Sequence, residues 1–161
     1  MINRFCSIAL FLCLVVFNQC QQSKTNPVYE KKISFKKQGD LSILNSKYDT
    51  VARFEIEIAD TPYKRETGLM YRNELATDKG MLFVFKSSGM RNFHMKNTIL
   101  PLDLIFINQS LEIEHIHTNA EPFKTKSISS QVPAQYVLEI YGGQTDRLKL
   151  KKGMKINFNR L

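Results

Sequence analysis

The feature that most constrains the fold is an alternation of apolar and charged residues beginning at Val51. The apolar members are Ala52, Phe54, Ile56 and Ile58, and the charged members between them are Arg53, Glu55 and Glu57. Because successive side chains of a β-strand point to opposite faces, this period of two predicts a strand with one buried face. A surface helix would need apolar positions three or four apart, so this stretch excludes one.

Further runs of strand length follow, separated by turn-forming residues. They are Met81–Phe85, Arg91–Met95, Leu102–Asn108, Leu111–Thr118, Tyr136–Ile140 and Met154–Phe158. Helices are few: Asp60-Thr61-Pro62 is typical of a helix start, and Gly68 of its end. A second helical turn is expected near residues 144–148. This pattern predicts a mostly β, sandwich- or barrel-like domain, largely antiparallel, with one or two short helices.

The N-terminus is typical of an export signal. Arg4 supplies a positive start, and residues 5–17 are almost entirely apolar. That run has the length of a signal-peptide core and is shorter than the roughly 18–20 residues a membrane-spanning helix needs. We therefore expect residues 1–19 to be a signal peptide and the protein to be exported to the periplasm or cell envelope.

Cys20 is the only cysteine that cleavage would leave, because Cys6 and Cys13 lie inside the signal. A single cysteine cannot form an internal disulfide. Its position directly after the apolar run resembles a bacterial lipoprotein signal, which implies lipidation of Cys20 and attachment to a membrane. Residues 20–50 are polar and lysine-rich, and we expect them to be a flexible tether to one β-rich domain at 51–161. Within this tether, residues 33–35 and 41–44 could add a short edge strand to the domain.

The chain carries a formal net charge of +8. For an exported protein, this moderate excess fits attraction to anionic lipid headgroups or acidic glycans better than a nucleic-acid role. A well-solvated surface is nevertheless the interpretation of this charge that we favour. We expect no nucleic-acid partner and no cofactor.

The candidate site lies in the middle of the chain, where a polar patch directly precedes an apolar strand. Lys96, Asn97 and Thr98 could hold an anionic or hydroxyl-rich ligand, with Pro101 forming a corner before Asp103. Arg72, His94 and Glu139 come from other segments that the fold would bring near. The structural alternative is that Asn97 and Thr98 fix a turn while Asp103 accepts hydrogen bonds from the backbone or from Arg72. The loop of residues 119–134 is long enough to lie over such a site.

Four blocks in a fixed order carry a resemblance to a known family. The blocks are Gly68-Leu69-Met70 with Arg72, Gly80-Met81-Leu82-Phe83 with Phe85, Met95-Lys96-Asn97-Thr98 with Pro101-Leu102-Asp103 and Phe106, and Tyr136-Val137-Leu138-Glu139. Together they resemble the bacterial and archaeal family of domain of unknown function 192, over residues 51–158. The resemblance implies a small β-rich domain, often behind an export signal, with no established activity. One departure is Phe93-His94, where the family usually has an apolar residue followed by Trp.

Two further interpretations stay open beside a binding module. Asp103 or Glu139 as general base with His94 as acid would suit hydrolysis of a glycan or ester, although the sequence has no Gly-x-Ser-x-Gly motif. Met90 and His94, with Met95 and the pair His115 and His117, would suit Cu(I). Strand alternation argues against this metal site, because the adjacent residues His94 and Met95 should point to opposite faces. Binding of a ligand or an envelope component without catalysis is the interpretation we favour.

Overall fold

The computed structural model describes residues 33–161, which form a curved β-sheet with two short helices. The elements are β1 (Gly39–Leu44), β2 (Thr50–Ala59), α1 (Pro62–Thr67), β3 (Lys79–Gly89), β4 (Asn92–Phe93), β5 (Leu102–Ile107), β6 (Ile113–Ala120), β7 (Ile128–Ser129), β8 (Ala134–Tyr141), α2 (Gln144–Arg147) and β9 (Lys155–Arg160). The mostly β class predicted from the sequence is confirmed.

Seven strands form the main sheet, in the order β6-β5-β8-β3-β2-β1-β9. All neighbours are antiparallel except β2 and β3, which are parallel and are joined by the crossover that contains α1. The two outer strands approach each other: Ile113 N donates to Met154 O (2.8 Å) and Ile156 N to Leu111 O (2.8 Å). The sheet thus curls toward closure, which protects its edges from pairing with other chains.

The two faces of the sheet bury two separate apolar clusters. In β5, Ile105 and Ile107 belong to the first cluster, whereas Leu104 and Phe106 belong to the second. The first cluster takes side chains from all seven strands, as the interior of a closing sheet does. The second cluster lies on the outer face and is covered by Leu69, Leu75 and other residues of the connecting segments. With both faces covered, all six residues of β5 are buried.

The outer face carries the segments from which the candidate site is built. The α1 crossover, residues 90–100 and the chain after β6 all contribute to the second cluster. β4 and β7 form a two-stranded sheet of their own, with Asn92 opposite Ser129 and Phe93 opposite Ile128. Phe93 packs edge-on against Phe83 (5.1 Å between ring centroids) and Phe106 (6.0 Å).

The tether predicted at residues 20–50 extends too far along the chain, because β1 (Gly39–Leu44) belongs to the sheet. β1 pairs with β2 on one side and with β9 on the other, so it is neither tether nor edge strand. Leu41 and Ile43 are buried in the first cluster, which explains why the segment is held. The predicted signal peptide, Cys20 and the tether up to residue 32 lie outside the described residues. Within residues 33–161, no helix is both long and apolar enough to cross a membrane.

Candidate functional site

A cavity of about 400 Å³ opens on the outer face beside Glu139 of β8. Its lining residues come from α1 and the chain after it, the end of β3, β4 and β8: Pro62, Arg65, Glu66, Thr67, Gly68, Leu69, Met70, Phe83, Phe85, Met90, Arg91, Asn92, Phe93, His94, Thr98 and Glu139. The volume falls in the range of small-molecule sites. We call it the Glu139 cavity.

Glu139 is the chemically unusual member of this lining. It is only 6% exposed, and it shares the outer face of β8 with Val137 while Leu138 and Ile140 point into the first cluster. Within residues 33–161, its carboxyl group has no hydrogen-bond or ion-pair partner. Burial raises the pKa of Glu139 from 4.5 to about 8, because a charged carboxylate is poorly solvated there. At neutral pH the group is therefore a neutral acid that can donate a hydrogen bond.

Two arginines place positive charge at the same cavity. The guanidinium groups of Arg65 and Arg91 lie 5.3 Å and 3.9 Å from the ring centroid of Phe85. Arg65 Nη1 donates to Asp60 O (2.7 Å) and Val84 O (3.1 Å), and Arg91 Nε donates to Ala134 O (3.0 Å). These backbone carbonyls fix the two side chains without neutralising them.

Neither arginine forms an ion pair in the part of the chain that the structure describes. Burial, and then the charge of Arg65, lower the pKa of Arg91. Glu66 also lines the cavity, but its side chain is exposed and forms no ion pair with either of them. Each guanidinium keeps unused N–H donors, since it has five in all. The cavity thus combines spare cationic donors with a neutral acid, a combination suited to an anion that also carries hydroxyl groups.

The end of α1 shapes the wall next to Glu139. Thr61 caps the helix, its Oγ1 accepting from Lys64 N (3.2 Å), and Gly68 ends it at φ 49° and ψ −130°. This backbone conformation favours glycine. A Cβ atom at Gly68 would lie 3.0 Å from Phe83 Cζ and 3.8 Å from Glu139 Oε2. The glycine therefore keeps space open directly beside the carboxyl group.

The structure brings three of the seven predicted site residues together: His94, Thr98 and Glu139 all line the Glu139 cavity. His94 is exposed and Met95 is fully buried, so the two side chains are separated. Both residues follow β4, because the strand predicted at residues 91–95 is only Asn92–Phe93 long. The remaining four, namely Arg72, Lys96, Asn97 and Asp103, lie outside its lining.

Asp103 requires the clearest correction, because it is a structural residue. Its side chain is fully buried. Oδ1 accepts from Asn119 N (2.8 Å) and Gly143 N (3.0 Å), and Oδ2 from Thr145 N and Thr145 Oγ1 (both 2.8 Å). The carboxylate joins β5 to the end of β6 and to the start of α2. It therefore offers neither a ligand contact nor a general base, and the hydrolase interpretation loses one of its two carboxylates.

The polar corner from Lys96 to Thr98 is a turn, in agreement with the structural alternative. Asn97 has a φ of 58°, a left-handed conformation that Asn tolerates well, and Thr98 N closes the turn on Met95 O (3.0 Å). Asn97 Nδ2 donates to the Tyr71 hydroxyl (2.7 Å). Lys96 points to solvent, away from the cavity lining.

Arg72 is also removed from the expected site, because it forms a buried ion pair with Glu57 at 2.5 Å. Both residues line a separate, smaller cavity of about 240 Å³. A buried arginine needs such a partner, and Glu57 on β2 supplies it.

The segment of residues 119–134 supports the site instead of covering it. Asn119 and Ala120 belong to β6, and residues 128–129 form β7 against β4. Lys124 O accepts from Met95 N (2.8 Å), and Phe123 N donates to Thr98 O (3.1 Å). These bonds hold β4 and the turn that follows it, and β4 lines the cavity.

The residues proposed for copper are only partly assembled. Met90 and His94 both line the Glu139 cavity, whereas Met95 is buried in the second cluster. His115 stacks on Phe106 at 5.7 Å between centroids, and burial followed by the charge of His117 lowers its pKa. Across residues 33–161, no group of three or more His, Cys, Asp or Glu side chains is arranged to hold a metal ion.

Sequence reasoning missed Arg65, Arg91 and Phe85 as a cluster. Arg65 lies on α1 and Arg91 just before β4, and both meet at Phe85 because the β2–β3 crossover places α1 beside the end of β3. The only signal in the sequence was their position next to predicted element boundaries, which is too weak to pair residues 26 positions apart.

The comparisons with known proteins agree with this architecture. A family model for domain of unknown function 192, described as an uncharacterised ACR, matches residues 43–158. The chain belongs to this family. No curated protein matches this member of the domain of unknown function 192 family.

Two solved structures resemble the chain closely. A Sinorhizobium meliloti 1021 protein, provisionally described as a transcription regulator, is 37% identical with a TM-score of 0.73, over 79% of this chain and 97% of that one. A protein of unknown function from Novosphingobium aromaticivorans DSM 12444 is 33% identical with a TM-score of 0.69, over 73% of this chain and 83% of that one. They support the fold and leave the function open.

Proposed function

We propose that this domain of unknown function 192 protein is a non-catalytic binding module that takes a small, hydroxyl-bearing anion into the Glu139 cavity. The observation that carries the proposal is a buried carboxyl group that has no partner among residues 33–161. It faces a cavity that is also lined by two arginines without an ion-pair partner in that same part of the chain. Buried polar groups nearly always have partners, so an exception facing a cavity points to a ligand.

The two arginines and Glu139 bind different parts of the ligand. Arg65 and Arg91 supply charge-assisted donors for a carboxylate or phosphate. Glu139, held neutral by burial, donates to a hydroxyl or carbonyl oxygen instead of repelling the anion. Phe85 orients the two guanidinium groups through cation–π contacts.

The setting we propose for this module is the cell envelope. The apolar run of residues 5–17 and the cysteine that follows it support export and membrane attachment through a lipid on Cys20. The ligand would then be a small molecule or an envelope component that carries a phosphate or carboxylate group.

Removal of the Arg91 guanidinium should weaken binding of a small anion. With glycerol phosphate as the probe, we expect Arg91→Met to raise the dissociation constant about tenfold to hundredfold, because charge-assisted hydrogen bonds contribute about 1.5–3 kcal/mol. The measurement is the rise of the melting temperature with increasing probe concentration, which linkage converts into affinity. Each variant is compared with its own ligand-free state, so a loss of stability does not distort the result.

The control variant is Arg53→Met, which removes an exposed arginine of β2 that does not line the cavity. It should bind the probe as the wild type does. Glycerol should produce no shift, whereas inorganic phosphate should produce a smaller one. An unchanged melting temperature with both phosphate probes, or an equal response of Arg91→Met, would refute the site. Turnover of ester substrates that disappears in Glu139→Gln would instead favour the hydrolase interpretation.

A further inference from the structure

A second surface of the domain presents apolar side chains to solvent. Tyr71 is 58% exposed, Ile99 39% and Phe123 61%. The segments that carry them are hydrogen-bonded to one another: Tyr71 N donates to Asn97 O (2.9 Å), and Phe123 N donates to Thr98 O (3.1 Å). The three side chains therefore project from one connected group of loops, which we call the apolar tip.

The backbone at the apolar tip adopts an unfavourable conformation that keeps these aromatic side chains outside. Tyr71 has a φ of 60° and Phe123 a φ of 61°. Left-handed backbone is uncommon for residues other than glycine, and bulky side chains adopt it least readily. Strain of this kind persists only where the surrounding structure enforces it, and it concentrates at functional sites. Within the domain, the Tyr71 side chain offsets part of that cost through the hydrogen bond that its hydroxyl accepts from Asn97 Nδ2 (2.7 Å), whereas both rings stay largely in water.

Lysines lie within three residues of Ile99 and Phe123 along the chain. Lys96, in the turn beside Asn97, is exposed and forms no ion pair with a described residue. Lys124 lies 3.1 Å from Glu121, and Lys126 is exposed with no acidic partner in the described part of the chain. Three lysines outnumber the two exposed glutamates within three positions of these side chains, Glu121 and Glu74, so this surface has a modest positive charge.

We propose that the apolar tip rests on an anionic lipid bilayer, with Tyr71, Ile99 and Phe123 in the interfacial layer and the lysines at the headgroups. Aromatic rings with exposed apolar faces favour the membrane interface, and lysines near the surface are attracted to anionic lipids. This surface is separate from the lining of the Glu139 cavity, so the inference does not depend on the ligand proposal.

The chain contains no tryptophan, so one introduced residue reports on its own surroundings. We expect Phe123→Trp in the full chain, reconstituted into phosphatidylcholine vesicles containing phosphatidylglycerol, to emit at shorter wavelength and to be quenched by brominated lipid. Pure phosphatidylcholine vesicles should give neither effect, although the N-terminal segment is present in both. High salt should reverse the effect, because the Debye length falls to about 3 Å at 1 M.

The matched control is Tyr48→Trp, at a side chain that is 67% exposed and also lies near a lysine, 5.7 Å from Lys155 Nζ. Its emission should not change with lipid composition. In the Phe123→Trp protein, Lys96→Glu and Lys126→Glu should each lower the ratio of lipid-contacting to solvent-exposed tryptophan about fivefold. The proposal is overturned if anionic lipid does not change the emission of Phe123→Trp, or if Phe123→Trp and Tyr48→Trp respond equally. It is also overturned if the lysine variants leave the response unchanged.

Discussion

Replacement of Asp103 by Ala should reduce the free energy of unfolding by roughly 3–5 kcal/mol, the largest loss expected from a single polar substitution in this domain. The carboxylate accepts four hydrogen bonds, three of them from the backbone N–H groups of Asn119, Gly143 and Thr145. Alanine would leave these buried donors without an acceptor. Urea denaturation followed by circular dichroism measures the loss.

Two further substitutions make this prediction specific. Thr145→Val removes only the hydroxyl bond to Asp103 and should cost about 1 kcal/mol. Asp146→Ala, at the exposed neighbour in α2, should change stability by less than about 0.5 kcal/mol. A loss below about 1 kcal/mol for Asp103→Ala, with the fold intact, would return Asp103 to the list of possible ligand contacts.

The stability of the wild type should fall as the pH rises from 6.5 to 8, and Glu139→Gln should remove most of that fall. The pKa of Glu139 is raised by burial from 4.5 to about 8. Below pH 4.5 the carboxyl is protonated in both states and the folded state keeps its full stability. Between 4.5 and 8 only the unfolded state releases the proton, so stability decreases by up to about 1.4 kcal/mol per pH unit. Above the folded pKa the decrease ends.

Between pH 6.5 and 8, the change in stability due to Glu139 is separated from that due to the histidine and carboxylates whose pKa values are lowered. His115 has a lowered pKa, so its contribution is lost only as the pH falls below 6.5. Asp60 and Glu114 also have lowered pKa values, which act at more acidic pH. Glu66→Gln, at an exposed glutamate lining the same cavity, should keep the wild-type slope. A flat wild-type profile from pH 6.5 to 8, or identical slopes for wild type and Glu139→Gln, would show that the carboxyl is solvated.

Much of the architecture follows from local patterns in the sequence. The alternation in residues 51–58 specifies β2, and Thr61, Pro62 and Gly68 specify both ends of α1, because capping and glycine chemistry are local. β1 was predicted only as a short edge strand within the tether, because six residues with two buried apolar positions, Leu41 and Ile43, carry little periodic signal. Its place in the sheet depends on pairing with β2 and with β9, and β9 lies more than 100 residues further along the chain.

Only part of the candidate site could be predicted from the sequence. Glu139 stands out as a lone carboxylate in an apolar strand, whereas the strand predicted at residues 91–95 contains only Asn92 and Phe93. Asp103 is likewise a lone carboxylate in the apolar strand β5, yet both of its oxygens accept hydrogen bonds from neighbouring backbone N–H groups and the Thr145 hydroxyl. What distinguishes the two acids is the tertiary surroundings: a turn rich in N–H groups around Asp103, and a cavity next to Glu139. No local pattern encodes that difference.

The central claim is that Glu139 is a neutral acid facing an open, cationic cavity, and the most direct test is carboxyl carbon NMR of Glu139 as a function of pH. The account predicts that the Glu139 carboxyl signal titrates near pH 8, and that glycerol phosphate moves this midpoint upward, because a bound anion disfavours ionisation of the neighbouring acid. A midpoint near 4.5, the ordinary value for a solvated glutamate, with no response to the probe, would contradict it.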